Sequence, residues 1–245
     1  MLVETTDTFA TSEGDGAPAR MSWKKARVAL NAHADIIKAR VDAHIAHLEA
    51  VDPERAKHFI SRLTPELKAK HLDAARFQIG KWGKFLPHLT GVTRSYEIGV
   101  GPGYLLKLMI LVHGTKATGC DLDPSHAKVF ELLWKELGVA DLVEIHRVRR
   151  RRPIPVPDGA DAVLAFSTTF SEGYTLADHQ WFVDHLRERL VGEKQVFMLF
   201  NTRCFEHEGV REFYSGIADF PLLDPSRAAQ VQHWDSQAFC RLRLA

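Results

Sequence analysis

The sequence predicts an α/β fold: a doubly wound, mostly parallel seven-stranded sheet that ends in an antiparallel hairpin and is preceded by an N-terminal helical cap. Three observations predict it. After Gly91, short apolar runs alternate with amphipathic helical patterns, which implies parallel strands joined by crossover helices. The last two apolar runs are separated by Asp235-Ser236-Gln237, too short for a crossover, so they pair antiparallel. Ahead of the alternation, from Met21 to His88, apolar residues recur at helical spacing.

Taken in order, Met1 to Arg20 is rich in Thr, Ser, Gly, Asp and Ala and carries no periodicity, so residues 1–20 are expected to be a disordered leader. Residues 21–90 form the cap. Val28, Ile36, Ile37, Val41, Ile45 and Leu48 mark its first helix. Asp52-Pro53-Glu54 supplies an N-cap, a first-turn proline and an early acid for a second helix, and Thr64-Pro65-Glu66 repeats the signature for a third. Gly80 and Gly83 weaken the end of that third helix. Residues 91–245 form the second domain. Strands are expected at Arg94–Val100, Lys116–Leu122, Leu142–Val148, Asp161–Phe166, Gln195–Asn201, Ala229–Trp234 and Ala238–Leu244. Helices are expected at Tyr104–Val112, Ser125–Leu137, Asp178–Leu190 and Glu208–Ile217.

Composition narrows the function classes. The 245 residues are 45% hydrophobic and 26% charged, an ordinary balance for a globular protein with a sizeable core. A net charge of +1 gives no bulk attraction to nucleic acid or an anionic membrane. Cys120, Cys204 and Cys240 are widely spaced and form no CxxC pair, so no disulfide framework or zinc knuckle is expected and a reducing cytoplasm fits best. The first residues lack a basic start with an apolar run, and no stretch has the about 18 apolar residues of a membrane span. No metal is expected: HExxH is absent, and His44 and His47 share a helical face with no third ligand.

The chemistry starts where the first strand ends, in Glu97-Ile98-Gly99-Val100-Gly101-Pro102-Gly103, with a helix following at once. Glycines here let a ligand lie against the backbone, and the helix start offers unpaired N–H groups to an anionic or carboxylate-bearing ligand. A dinucleotide fingerprint G-x-G-x-x-G needs glycine at position 104, which is Tyr104. The pattern is instead G-x-G-x-G with an acid two residues before its first glycine. The second strand ends in Asp121, about 20 residues further on, where a carboxylate can accept both hydroxyls of a ribose.

These residues resemble motif I and the following acid of the class I, Rossmann-like S-adenosylmethionine-dependent methyltransferases, over Arg94 to Ala245. The resemblance implies S-adenosyl-L-methionine as cofactor. It places Glu97, Gly99, Gly101, Pro102 and Gly103 at the methionine part and Asp121 at the ribose, with Leu122 and Val148 as apolar walls for the adenine. Leu122-Asp123-Pro124 resembles the family's step into its next helix. The acid that often reads the adenine amino group at the end of the third strand is missing, since Val148 or Arg149 stands there. Backbone groups, those apolar walls, or Asp141 or Glu144 remain to serve instead.

Arg147-Val148-Arg149-Arg150-Arg151-Arg152 puts five arginines in six residues. One reading is an anion-attracting patch. The reading favoured by the near-neutral chain and the absence of interleaved aromatics is a solvated loop balanced by acids elsewhere.

After the fourth strand the chain reads Phe166-Ser167-Thr168-Thr169-Phe170-Ser171-Glu172-Gly173-Tyr174. The Asn/Asp-Pro-Pro-Tyr/Phe tetrad of the family's amino-methylating DNA enzymes is absent. Tyr174 is a candidate to steer a sulfonium by its ring face or a nucleophile by its hydroxyl, and Ser167 to shape a polar pocket or satisfy turn backbone. Asn201, at the end of the fifth strand, is a candidate to orient substrate, with Arg203 and His207 nearby. Trp82, Phe85 and Phe77 either wall the pocket or belong to plain core. Methyl transfer needs alignment and water exclusion more than a triad, so the acceptor is poorly written in the sequence.

The resemblance therefore implies an S-adenosylmethionine-dependent methyltransferase acting on a small molecule. The alternative keeps the cofactor but attacks the γ-carbon of its methionine chain, by aminocarboxypropyl transfer or cyclisation to azetidine-2-carboxylate, releasing methylthioadenosine. A third reading is a non-catalytic binding module on the same fold. The expected partners are a small-molecule substrate and, if the chain self-associates, a second copy in a homodimer; neither membrane nor nucleic acid is expected.

Overall fold

The structure, a computed structural model, describes residues 20–62, 76, 79–121, 131, 133–166, 173–219 and 237–244. The described chain divides into two compact units that interleave along the sequence: Met1–Gly91, Val100–Thr115 and Asp123–Val143 in one, and Val92–Gly99, Lys116–Leu122 and Glu144–Ala245 in the other.

The first unit is helical. α1 (Trp23–Val51) starts at Ser22, whose hydroxyl accepts from Lys25 N, and stops at Asp52. Asp52 is also the N-cap of α2 (Pro53–Arg62), its carboxylate accepting from Arg55 N at 3.0 Å, as the Asp-Pro-Glu signature predicts. The third helix expected from Thr64 lies mostly outside the described residues; its last part is helical at 79–83. A Cβ on Gly83 would collide with the Trp23 indole, so glycine there permits close packing against the start of α1. α3 (Tyr104–Leu108) passes into a π-helical turn at Met109–His113. The widened turn leaves Leu111 O to accept from Met21 N at 2.9 Å, which anchors the residue ahead of α1. His33 of α1 bonds Glu136 O in the helical run at 133–137. Most of the helix expected at Ser125–Leu137 lies outside the described residues.

The second unit carries the sheet. Its strands are β1 (Arg94–Ile98), β2 (Lys116–Asp121), β3 (Val143–Ile145), β4 (Ala162–Phe166), β5 (Gln195–Asn201) and β6 (Gln237–Arg243), in spatial order β3-β2-β1-β4-β5-β6. β1 pairs parallel with β2 and β4, and β4 pairs parallel with β5. β6 pairs antiparallel with β5 from Gln195↔Arg243 to Asn201↔Gln237. The order reverses between β1 and β4, the switch point at which doubly wound sheets bind ligands outside their strand C-termini.

Six strands are described where seven are expected. The missing one, Ala229–Trp234, lies outside the described residues. The outer edge of β6 is nevertheless engaged, by an antiparallel bridge from Ala218 to Leu242 and by Asp219 N donating to Arg241 O at 3.1 Å. β3 is shorter than the expected Leu142–Val148 because a 3-10 turn at Ala140–Leu142 takes its first residue and the chain leaves the strand after Ile145.

Helices α4 (Leu176–Arg189) and α5 (Val210–Ile217) complete this unit. α4 begins earlier than the expected Asp178 because Thr175 and Asp178 form a capping box, each side chain bonding the other's end of the first turn. The core joins Tyr96, Ile98, Cys120, Val163 and Ala165 of the sheet to Phe182, Val183 and Leu186 of α4 and to Val210 and Tyr214 of α5. β4 is buried along its whole length, as its unbroken apolar run predicts for a central parallel strand.

Candidate active site

The C-terminal ends of β1 and β2 carry two buried acids. Glu97 is 4% exposed and Asp121 5%. A carboxylate is held in such a place only with partners or a ligand to satisfy it. β1–β2 pairing runs from Arg94↔Lys116 to Ile98↔Cys120, and Gly99 N extends it by donating to Cys120 O at 2.8 Å. That register puts Asp121 directly past the last paired residue. On its other side Asp121 O accepts from His146 N at 3.1 Å.

The glycine loop then turns on three left-handed residues, Gly99 (φ 77°), Gly101 (φ 52°) and Gly103 (φ 90°). A side chain at any of them is strained, which explains the G-x-G-x-G spacing. Within the first unit, Trp134 Nε1 donates to Gly101 O at 2.7 Å. A Cβ on Gly103 would stand 3.2 Å from Val139 Cγ2 and 3.3 Å from Trp134 Cδ1, whereas one on Gly101 would meet nothing within 4 Å. Gly103 therefore serves packing, and Gly101 leaves open space. Pro102 is half-buried between them.

Tyr104 opens α3 with its side chain 2% exposed, and its hydroxyl has no hydrogen-bond partner among the described residues. Burial pushes that hydroxyl well above the ordinary tyrosine range, so it is neutral and can donate. Lys107, one turn on, is 3% exposed, and burial lowers its pKa.

In the second unit, Tyr174 is 5% exposed directly before α4. The Arg150 guanidinium lies 5.4 Å from its ring centre, and Arg150 also donates to Gly173 O. One face of the ring thus has a guanidinium near it. The His179 ring stands 5.8 Å away, edge to face. His179 Nδ1 and Tyr214 Oη share a hydrogen bond of 2.9 Å. Burial, helped by the nearby His207, pushes the His179 pKa down to about 4 against the pull of Asp178, so its ring is neutral near pH 7.

Val148 joins the core cluster with Ile98, Cys120 and Ile154. Glu144, one of the acids left to read adenine, accepts from the Tyr96 hydroxyl at 2.6 Å. The arginine run is not simply a solvated loop, because Arg151 bonds Asp178 at 2.8 Å and Arg150 holds Gly173. His207 is exposed ahead of α5. Asn201 ends β5 paired with Gln237. Ser167, Leu122 and Phe77 lie outside the described residues. Phe85 is buried, with its ring 6.3 Å from that of Trp82. Sequence reasoning missed Trp134, for which it holds no signal, and the Thr175-x-x-Asp178 box, which is legible as a capping pattern.

No family model matches the sequence, and no curated protein matches it either. Solved structures do. The pyocyanin biosynthetic protein PhzM superposes with a TM-score of 0.51 at 13% identity, over 90% of this chain and 72% of that one. N-methyltransferase NodS from Bradyrhizobium japonicum WM9 superposes with a TM-score of 0.50 at 12% identity, over 69% of this chain and 96% of that one. The chain has the class I methyltransferase fold. Identities this low establish the fold alone.

Proposed function

We propose that this protein is an S-adenosylmethionine-dependent methyltransferase acting on a small molecule. The observation that carries the reading is the glycine loop: three left-handed glycines in five residues, followed at once by a helix, on a methyltransferase fold. The residues present suit the cofactor. Its ammonium and ribose hydroxyls are donors, and Glu97 and Asp121 are buried acceptors. Its carboxylate is an acceptor, which suits the backbone N–H groups of the glycine loop. Gly99, Gly101, Pro102 and Gly103 give it a backbone surface, with Leu122 and Val148 as apolar contacts. The division into a leader (1–20), a helical cap (21–90) and a cofactor-binding domain (91–245) belongs to the same proposal.

When bound, the cofactor supplies a methyl group already activated by a sulfonium. The chain's own work is then to align the acceptor and keep water out. Tyr174, Asn201 and Ser167 are proposed for the acceptor side. With Arg150 over its ring, Tyr174 acts through its hydroxyl, which burial keeps protonated and able to donate.

The test is incubation of the protein with S-adenosylmethionine, alone and with a small-molecule extract, followed by mass spectrometry of the cofactor products. S-adenosylhomocysteine supports methyl transfer. Methylthioadenosine moves the assignment to γ-carbon chemistry. No cofactor binding by calorimetry removes both.

A further inference from the structure

The run Arg149–Arg152 is a built turn rather than a loose loop. Arg152 N donates to Arg149 O at 3.2 Å, closing four residues. Its third residue, Arg151, has φ 51°, a left-handed conformation normally left to Gly or Asn. Such a conformation persists only when surrounding contacts over-determine it. Here the contact is the Arg151–Asp178 ion pair at 2.8 Å, whose acid side chain is 7% exposed. Asp178 is locked in turn by Thr175 N at 2.9 Å and the Thr175 hydroxyl at 2.8 Å. Arg150 adds a second tie, to Gly173 O, while lying over the Tyr174 ring.

Two of the five arginines thus hold the turn to the first turn of α4. The other three make no such tie among the described residues. Arg147, Arg149 and Arg152 are exposed, and their side chains make no hydrogen bond or ion pair among the described residues. With a net charge of +1 over the whole chain, Arg149 and Arg152 on this turn and Arg147 just ahead of it, without ion-pair partners among the described residues, are a local concentration of positive charge. The turn follows the C-terminal end of β3 and touches Gly173 and Tyr174, which follow β4. Strand C-termini are the ligand-facing side of a doubly wound sheet.

We propose that Arg147, Arg149 and Arg152 form a recognition site for an anionic group, phosphate or carboxylate, on the small-molecule acceptor. The identification of that molecule as an acceptor rests on the methyltransferase reading; the anion site itself does not. Guanidinium forks match both groups in a bidentate manner, and a turn held by Arg150 and Arg151 presents Arg149 and Arg152, with Arg147 two residues before it, with little backbone left to order on binding. Nucleic acid is disfavoured by the near-neutral chain and by the absence of aromatics among these arginines.

The test uses the full chain, with inorganic pyrophosphate as the phosphate probe and citrate as the carboxylate probe, titrated calorimetrically at about 0.15 M salt, where diffuse attraction is screened. Saturable binding of either probe is expected, and it identifies the preferred group. The triple variant Arg147→Gln, Arg149→Gln, Arg152→Gln is expected to bind that probe at least about tenfold more weakly. Its circular dichroism and its S-adenosylmethionine affinity should match the wild type. Two results overturn the site: neither probe binds the wild type at millimolar concentration, or the triple variant binds as well as the wild type. A duplex oligonucleotide that binds more tightly than either probe, through the same three arginines, also overturns it in favour of a nucleic-acid surface. If pyrophosphate or citrate binds as expected while S-adenosylmethionine does not, the anion site stands and the methyltransferase reading falls.

Discussion

Trp134 and Gly101 are joined by a 2.7 Å hydrogen bond from the indole nitrogen to the carbonyl oxygen of the loop's central glycine. They lie 33 positions apart, so the loop's shape depends on a side chain delivered by a later helix. Replacing Trp134 by Phe keeps an aromatic ring but removes the donor. The expected cost is about 1 kcal/mol of stability, the ordinary net worth of such a bond. S-adenosylmethionine affinity should fall severalfold because the loop loses its anchor. Urea melts and calorimetry measure the two effects separately.

Gly103→Ala and Gly101→Ala should differ. Both meet a left-handed φ, which costs a side chain about 1–2 kcal/mol. A Cβ at Gly103 also crowds Val139 and Trp134 at 3.2 and 3.3 Å, while a Cβ at Gly101 has open space. Gly103→Ala is therefore expected to be the less stable variant, by about 1 kcal/mol or more. Gly101→Ala should fold and lose cofactor affinity. Equal denaturation midpoints would argue against the packing role of Gly103.

His179 makes stability depend on pH. Its folded pKa is depressed to about 4, against 6.5 for the free side chain, so between these values the unfolded chain binds a proton that the folded chain refuses. The stabilisation is complete above pH 6.5 and is lost as pH falls towards 4, a change of about 3 kcal/mol across the window. His179→Asn should flatten that part of the profile in a series of urea melts.

Asp178 governs a lower window. Burial raises its pKa, but hydrogen bonds from Thr175 N, the Thr175 hydroxyl and Arg151 outweigh this and hold it below the usual carboxylate range. Its contribution is present above the unfolded value of about 3.9 and is lost as pH falls through the lower folded value. Asp178→Asn should cost about 1–2 kcal/mol at neutral pH through the weakened cap and ion pair. It should also increase amide exchange around Gly173 and Tyr174, because Arg151 then loses its anchor.

The parts of this protein legible in the sequence are those set by local periodicity and turn chemistry. β5 spans Gln195–Asn201 as its apolar run predicts, and Asp52-Pro53-Glu54 divides α1 from α2 where the signature places the break. Gly99, Gly101 and Gly103 stand in the turn after β1 that their spacing marks, and each is left-handed, a conformation glycine adopts without the Cβ penalty. Asp121 is buried at a strand end, where the spacing from the loop puts it. Tertiary structure alone decided the rest, since each remaining feature depends on which distant side chain arrives. Val148 is expected at the end of the third strand, but that strand stops at Ile145 and Val148 is buried in the cluster that holds Ile98 and Ile154. Nothing local to Tyr174 announces that the Arg150 guanidinium lies 5.4 Å from its ring centre. The five arginines read as a solvated run until Asp178, 27 residues past Arg151, divides them into two that hold the turn and three that face water. Periodicity reports the face a residue presents; it carries no information about the partner that meets that face.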